Sequence, residues 1–236
     1  MKIIVLSISA YKEKDAIISA ISENEFITFL VRGLKGPKSK NTALNNALTI
    51  ADIELMDGNF KHPILKSSKP LFTPMRLEMD SKYLGSLLIM NEVTNYLFPD
   101  EEKARLFKYL EDGLTLLKQK NDWLMTLLIY FAQAIRLGGL ELEVNCCVRC
   151  GKKNRIVAFS FVEGGFICEN CTDEEISYDL SKNQMILLRK IFNSRDYHLL
   201  DEQYDHEDAL VLLRRIMAYM EEAFGYHFKN QRLILD

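Results

Sequence analysis

Residues 2–72 are punctuated by short apolar runs. The segments 2–8 (KIIVLSI), 16–22 (AIISAIS), 26–32 (FITFLVR), 47–56 (ALTIADIELM) and 63–72 (PILKSSKPLF) are rich in Ile, Val, Leu, Phe and Thr. Short polar or Gly/Pro segments separate them, which predicts five strands with no helix between most of them. Five such strands imply a small antiparallel barrel. The OB-fold is the commonest barrel of that size, an SH3-like barrel has the same pattern, and periodicity leaves both open.

After Pro74 the period changes from that of a strand to that of a helix. Asp80 is placed to cap a helix running towards Leu97, and Pro99-Asp100 predicts the opening of another, with Glu101 and Glu102 in its first turn. Leu106, Leu110, Leu114 and Leu117 recur at spacings of three and four, one buried stripe. A third helix carries Leu124, Leu127, Leu128, Phe131 and Ile135 and stops at Gly138-Gly139. Ser181 caps a fourth, and a long amphipathic helix places Ala209, Leu213, Ile216, Met220 and Phe224 on one face, with Gly225 just past its end. Such stripes are core rather than a cofactor box. The fold class is therefore α+β and multidomain. A barrel spans 1–76, a helical domain spans 77–145 and 179–236, and an insertion occupies 146–178.

The insertion holds every cysteine of the chain. Cys147 and Cys150 form C-x2-C, Cys168 and Cys171 form a second, and seventeen residues separate the pairs. That is the spacing of a four-cysteine zinc site, in which each knuckle aims two thiolates at one ion. RIVAFSF reads as a strand, EGG (163–165) as a turn and FIC as the returning strand, a hairpin that carries the second knuckle back to the first. A redox dithiol would open a helix in a βαβ setting, which is absent. Four thiolates close the shell, so a single zinc ion is expected in a structural role. Cys146 is out of register and is a spare.

Composition narrows the setting. The chain has 236 residues, 48% hydrophobic and 27% charged, the profile of a soluble globular protein. No secretory leader is visible after Lys2, and the apolar stretch 123–135 is broken by Thr126 and Gln133 and too short to span a bilayer. A cytoplasmic location without membrane attachment is expected, where clustered cysteines bind metal more often than they form disulfides. The net charge is -3, yet residues 1–75 carry ten Lys and Arg against seven Asp and Glu. A polyanion would therefore bind first at the amino-terminal segment.

No phosphate-binding glycine loop or nucleophile elbow is present. His62, His198, His206 and His227 are scattered, and Asp173, Glu174 and Glu175 read as a solvated turn, so an enzyme is not expected. The stretch VRGLKGPKSK (31–40) carries Arg32, Lys35, Lys38 and Lys40 with no acid among them, and Ser39 adds a hydroxyl. Backbone amides, hydroxyls and cations in such a loop contact phosphates. Lys12 and Lys14 lie between the first two strands, where an OB-fold sets a loop beside its binding face. Tyr11 and Phe29 are candidates for stacking bases. The alternatives are another zinc-ribbon nucleic-acid protein, which binds RNA at least as well as DNA, and an interaction scaffold with an inert loop.

Four stretches together resemble the RecO family of bacterial recombination mediators. They are YKEKD (11–15), VRGLKGPKS (31–39), the ribbon CVRCG with FSFVEGGFICENC, and the carboxy-terminal GYHFKNQRLIL. The chain departs from the family pattern at SENEF (22–26) and at Asn41. The resemblance implies an amino-terminal OB-fold, a helical domain with an inserted zinc ribbon, and no catalysis. It implies a cytoplasmic, nucleoid-associated protein that binds single- and double-stranded DNA and anneals complementary strands. It further implies pairing with RecR and contact with the acidic tail of single-stranded-DNA-binding protein, so that RecA is loaded indirectly. Arg189, Lys190, Arg214 and Arg215 flank the apolar stripes of the late helices and are the candidates for that tail.

Overall fold

A computed structural model describes residues 1–37, 39–56, 62–75, 79–172 and 180–236. Lys38, and the acidic run Asp173, Glu174 and Glu175, lie outside the described residues. The chain forms two compact units. One comprises Met1–Asn121 with Lys229–Ile234 and Asp236, the other Asp122–Phe228 with Leu235.

The first unit opens with a five-stranded sheet made of β1 (Lys2–Tyr11), β2 (Asp15–Ile21), β3 (Phe26–Val31), β4 (Ile50–Leu55) and β5 (Leu65–Phe72). Their order is β3-β2-β1-β4-β5, and every neighbouring pair is antiparallel. Alternation sets the inner face: Ala16, Ile18 and Ala20 of β2 are buried while Asp15, Ile17 and Ser19 are only partly covered. Ile3, Val5, Phe29, Val31 and Ile53 complete that core with Leu34 and Leu44 from the long connection after β3. The β2–β3 turn is built by Ser22, whose Oγ accepts from the N–H groups of Asn24 and Glu25 at 3.2 and 3.1 Å. SENEF thus makes its turn with a side chain rather than a glycine.

The sheet is open, and a barrel closed by a continuous ladder is not formed. Among the described residues its edges meet at one parallel bridge, Leu30 to Ile64, with the Leu30 N–H donating to Pro63 O at 2.8 Å. Most of β5 is solvent-exposed, and its Pro70 has no N–H to offer, as suits an edge strand.

Two helices share this unit. In α1 (Ser81–Tyr96) the expected cap forms, Asp80 Oδ1 accepting from Tyr83 N at 2.7 Å. The second helix begins later than its sequence suggests. Asp100 binds the Lys103 ammonium at 2.6 Å instead of capping, Glu101 and Glu102 sit in a turn, and α2 (Phe107–Lys120) starts after a short 3-10 turn. Leu110, Leu114 and Leu117 are fully buried as predicted. The carboxy-terminal segment returns to α1, where buried Glu92 accepts from Lys229 N at 2.9 Å and from the Asn230 side-chain amide.

The second unit holds α3 (Trp123–Leu137), β6 (Glu143–Cys147), β7 (Ile156–Ser160), β8 (Gly165–Cys168), α4 (Lys182–Asn193) and α5 (His206–Phe224). Helices α3, α4 and α5 pack on one another around Leu124, Leu127, Leu128, Phe131, Leu188, Leu213, Ile216 and Met220. Truncating a residue such as Leu128 there would cost about 2–5 kcal/mol. Ser181 and Gln184 form a reciprocal capping box at α4. The three short strands lie in the order β6-β8-β7. No described helix is long and apolar enough to cross a membrane.

Candidate metal centre and nucleic-acid interface

The two knuckles are local turns. After Cys150 the backbone reverses at Gly151, whose φ of +73° is the left-handed conformation that glycine tolerates best. The Gly151 N–H donates to Cys147 O at 2.8 Å and the Cys147 N–H to Lys152 O at 2.8 Å. The second knuckle is a 3-10 turn, Glu169–Cys171, with Thr172 N–H donating to Cys168 O at 3.1 Å. Strands β7 and β8 pair antiparallel and return the second knuckle to the first. Gly165 allows β6 to approach β8: a Cβ there would lie 2.4 Å from Val148 Cγ1 and 2.5 Å from Glu143 O.

The result is a cluster of Cys147, Cys150, Cys168 and Cys171 with all four sulfurs within 4.8 Å of one another. Four thiolates about 2.3 Å from a shared ion would stand about 3.8 Å apart. Cys150 and Cys168 are 3.6 Å apart, close to that edge and far beyond a disulfide bond. The donor set therefore fits a tetrahedral metal ion, and the four cysteines can hold one. Burial pushes the Cys147 thiol up, but N–H donors from Cys168, Cys150 and Arg149 outweigh it and bring the group to about 6. Hydrogen bonds with the Cys150 and Cys168 sulfurs push Cys171 up to about 12. Crowded sulfurs resist full ionisation together, a conflict that a dication at their centre resolves. Cys146 stands outside the cluster, half-buried beside Glu143, with its thiol raised by desolvation and that neighbour.

Arg149 ties the ribbon together, a role sequence inspection missed. Its Nε and Nη2 donate to the two carboxylate oxygens of Glu163 at 2.8 and 2.7 Å, and Nη1 donates to Cys171 O at 2.6 Å. One guanidinium thus links the first knuckle, the hairpin turn and the second knuckle, a planar fork that Lys could not replace. Under the hairpin, Phe159 packs edge-on against Phe161 and Phe166, and Phe161 meets Tyr219 of α5 at 5.6 Å.

The cationic residues fall into two groups. The turn between β1 and β2 carries exposed Lys12 and Lys14, and the loop after β3 carries exposed Arg32, Lys35 and Lys40 with half-buried Ser39. Two bonds join them: Lys35 N–H to Lys14 O at 3.0 Å and Gly33 N–H to Asp15 Oδ1 at 2.8 Å. Asp15 is the last residue of YKEKD, and its positioning role shows only in three dimensions. Ser39 Oγ accepts from Asn41 N at 3.2 Å, and Asn41 Oδ1 accepts from Ser68 Oγ at 2.8 Å, fastening the loop's far end to β5. Tyr11 is exposed, with the Lys12 ammonium over its ring 5.5 Å from the centre. Phe29 is not; it is fully buried on the inner face of the sheet.

In the second unit Arg189, Lys190, Arg214 and Arg215 are all exposed. Lys190 pairs with Glu202 at 2.7 Å, and Arg214 Nη2 donates to Leu235 O at 3.3 Å. A groove of about 220 Å3 beside α4 and α5 is lined by Lys190, Ile186, Leu187 and Tyr204, together with Asp205 and Asp208. It includes one of the four candidates and not the other three.

A family model described as Recombination protein O C terminal matches residues 79–231. The chain belongs to the RecO family. That match covers α1 to α5 and the whole cysteine window. The chain is similar to the DNA repair protein RecO of Halalkalibacterium halodurans, 24% identical over 234 residues, covering 98% of this chain and 92% of that one. It is similar to the DNA repair protein RecO of Bacillus subtilis strain 168, 23% identical over 235 residues, with 98% and 91% covered. The protein of the same name from Bacillus cereus strain AH187 is 23% identical over 235 residues, with 98% and 94% covered. These likenesses include the amino-terminal sheet, which the RecO family model leaves out.

Proposed function

We propose that this chain is a non-catalytic DNA repair and recombination mediator of the RecO type. It binds single- and double-stranded DNA, anneals complementary strands and, with RecR, helps RecA onto DNA coated by single-stranded-DNA-binding protein. The observation that carries the reading is the joining of the 12–14 turn to the 32–40 loop, which gathers cations from two separate segments on a family member. Cations there neutralise phosphates and release counterions, while exposed Tyr11 offers a face to a base without reading its identity. Lower mutual repulsion between two strands held this way favours pairing with no covalent step.

The amino-terminal sheet takes its place here as an OB-fold. Support comes from the five-strand order and from the parallel Leu30–Ile64 bridge between its edges. The division at 76, 145 and 178 separates that fold from the helical domain and its ribbon. The ion at the four cysteines is zinc, one per chain, and structural, as four thiolates leave no open position. The tail of single-stranded-DNA-binding protein docks on the helical domain, where Lys190 stands beside exposed Ile186. Arg189, Arg214 and Arg215 are the further candidates on α4 and α5. The protein works in the cytoplasm at the nucleoid.

The test is an annealing assay with complementary oligonucleotides, bare and coated, with and without RecR. Faster annealing of bare strands, and RecR-dependent action on coated ones, is the expected result. Absence of salt-dependent binding to any DNA leaves the scaffold reading. Tighter binding of RNA than of DNA transfers the chain to the other zinc-ribbon class.

A further inference from the structure

Between the first knuckle and β7 the chain carries Lys152, Lys153 and Arg155, all exposed. No carboxylate occurs anywhere in 144–162. Lys152, Asn154, Arg155 and Asn170, with Cys168, line a cavity of about 200 Å3. A water claims about 30 Å3 of liquid volume, so the space admits a phosphate with part of its hydration shell. The polar lining offers amide and cationic donors together, the mixture that contacts a phosphodiester.

Two backbone bonds fix this loop in place. Lys152 O accepts from Cys147 N, and Arg155 O accepts from Glu169 N at 2.9 Å. Each donor is a knuckle cysteine or the residue following one, so whatever orders the knuckles orders the cations. Among the described residues Arg155 pairs with Glu169 at 3.6 Å, with both side chains well exposed. An exposed pair at that distance is worth little and yields to a phosphate. Among the described residues the cations are held but not used up.

We propose that the 152–155 loop is a second phosphate-binding surface for the DNA backbone, carried by the ribbon and organised by its metal centre. It is distinct from the 12–14 and 32–40 segments, which belong to the other unit. The inference rests on the DNA-binding reading above and adds a site to it. It gives the metal a task beyond folding, the display of a cationic loop in a fixed shape.

The experiment uses the full-length, metal-loaded chain and fluorescence anisotropy with a mixed-sequence single-stranded oligonucleotide over a salt series. Lys152→Ala, Lys153→Ala and Arg155→Gln are combined, and metal content is measured on the same sample. The expected result is unchanged metal and a salt slope shallower by about 2, near 0.7 for each lost contact. Glu169→Gln should move the other way and tighten binding, since it frees Arg155. If the native chain binds with a steep slope and the triple variant matches it, this site is wrong and the broader reading stands. A native chain with no salt-dependent binding overturns both. An acidic peptide that binds the native chain but not the triple variant, with DNA binding unchanged between them, makes the loop a peptide site and overturns the proposal.

Discussion

The cysteine cluster and the cationic surface of the amino-terminal unit differ in where their geometry is encoded. All four sulfurs lie between positions 147 and 171, and each pair is set by a turn of four residues with its own backbone bonds. The cations at 12–14 and 32–40 reach one surface only because β1, β2 and β3 pair in one register and two bonds across the chain then lock the segments. A knuckle is thus readable from spacing, while a surface assembled by tertiary pairing is readable only as a list of charges. The two regions should also fail differently. Loss of a ligand removes a shape; loss of a cation removes a charge and leaves the shape.

The sharpest contrast comes from the sulfurs. Structural zinc contributes about 10–16 kcal/mol of apparent binding energy in finger peptides, and that energy is folding energy. Cys168→Ser should therefore empty the site and leave the 146–171 segment open to proteolysis, whereas Cys146→Ser should keep one metal per chain. Metal analysis paired with limited proteolysis decides it. A Cys146→Ser protein without metal would mean that the ligand set is wrong. Gly165→Ala tests the same region without touching a ligand. The added methyl would meet Val148 at 2.4 Å and the Glu143 carbonyl at 2.5 Å, and the carbonyl belongs to a paired strand. Overpacking of this kind costs about 1–3 kcal/mol. For a chain of this length that is a fall of roughly 2–12 °C in melting temperature. An unchanged melt would show that the strands separate freely there.

On the other side of the comparison, Lys35→Ala, Lys38→Ala and Lys40→Ala together should leave metal content and melting temperature untouched. DNA binding should weaken, with the salt slope falling by about 2 on a single strand and about 3 on duplex. Anisotropy across a salt series reads it, and an unchanged slope would place the DNA contacts elsewhere.

The two regions also divide what could be read from sequence. Ligand spacing, the apolar stripes of α3 and α5 and the Ser181 cap depend on neighbours within a few positions, and each is visible as a pattern. The start of α2 was misread because Asp100 serves a buried Lys103 ammonium instead of a helix end, a choice made by packing. The five strands predict a small antiparallel barrel, and the sheet is open because among the described residues its edges meet at a single bridge. The fork of Arg149 on Glu163 leaves no mark in the C-x2-C spacing. Phe29 reads in sequence as a base platform, and the register of β3 against β2 places it in the core instead. For the open sheet and for Phe29 the deciding contact is distant in sequence, whereas Asp100 and Lys103 are three residues apart and packing alone shows the choice.

The smallest expected effect is the one that separates charge from shape within the cationic surface itself. Asp15 places a carboxylate among Lys12, Lys14, Arg32 and Lys35, yet its Oδ1 also holds the Gly33 N–H at 2.8 Å and so fixes the loop. The two roles oppose each other in DNA binding. Asp15→Asn keeps a carbonyl oxygen for Gly33 and removes the negative charge, so binding should tighten slightly. Asp15→Ala removes the same charge and also the acceptor, at a cost of about 1 kcal/mol in stability for a partly exposed bond. Its affinity should fall below that of the Asn variant, although the two proteins carry identical net charge. Equal affinities would mean that the loop keeps its shape without Asp15, and that the bond to Gly33 positions nothing DNA uses. A difference between two variants of equal charge can come only from how the loop is held.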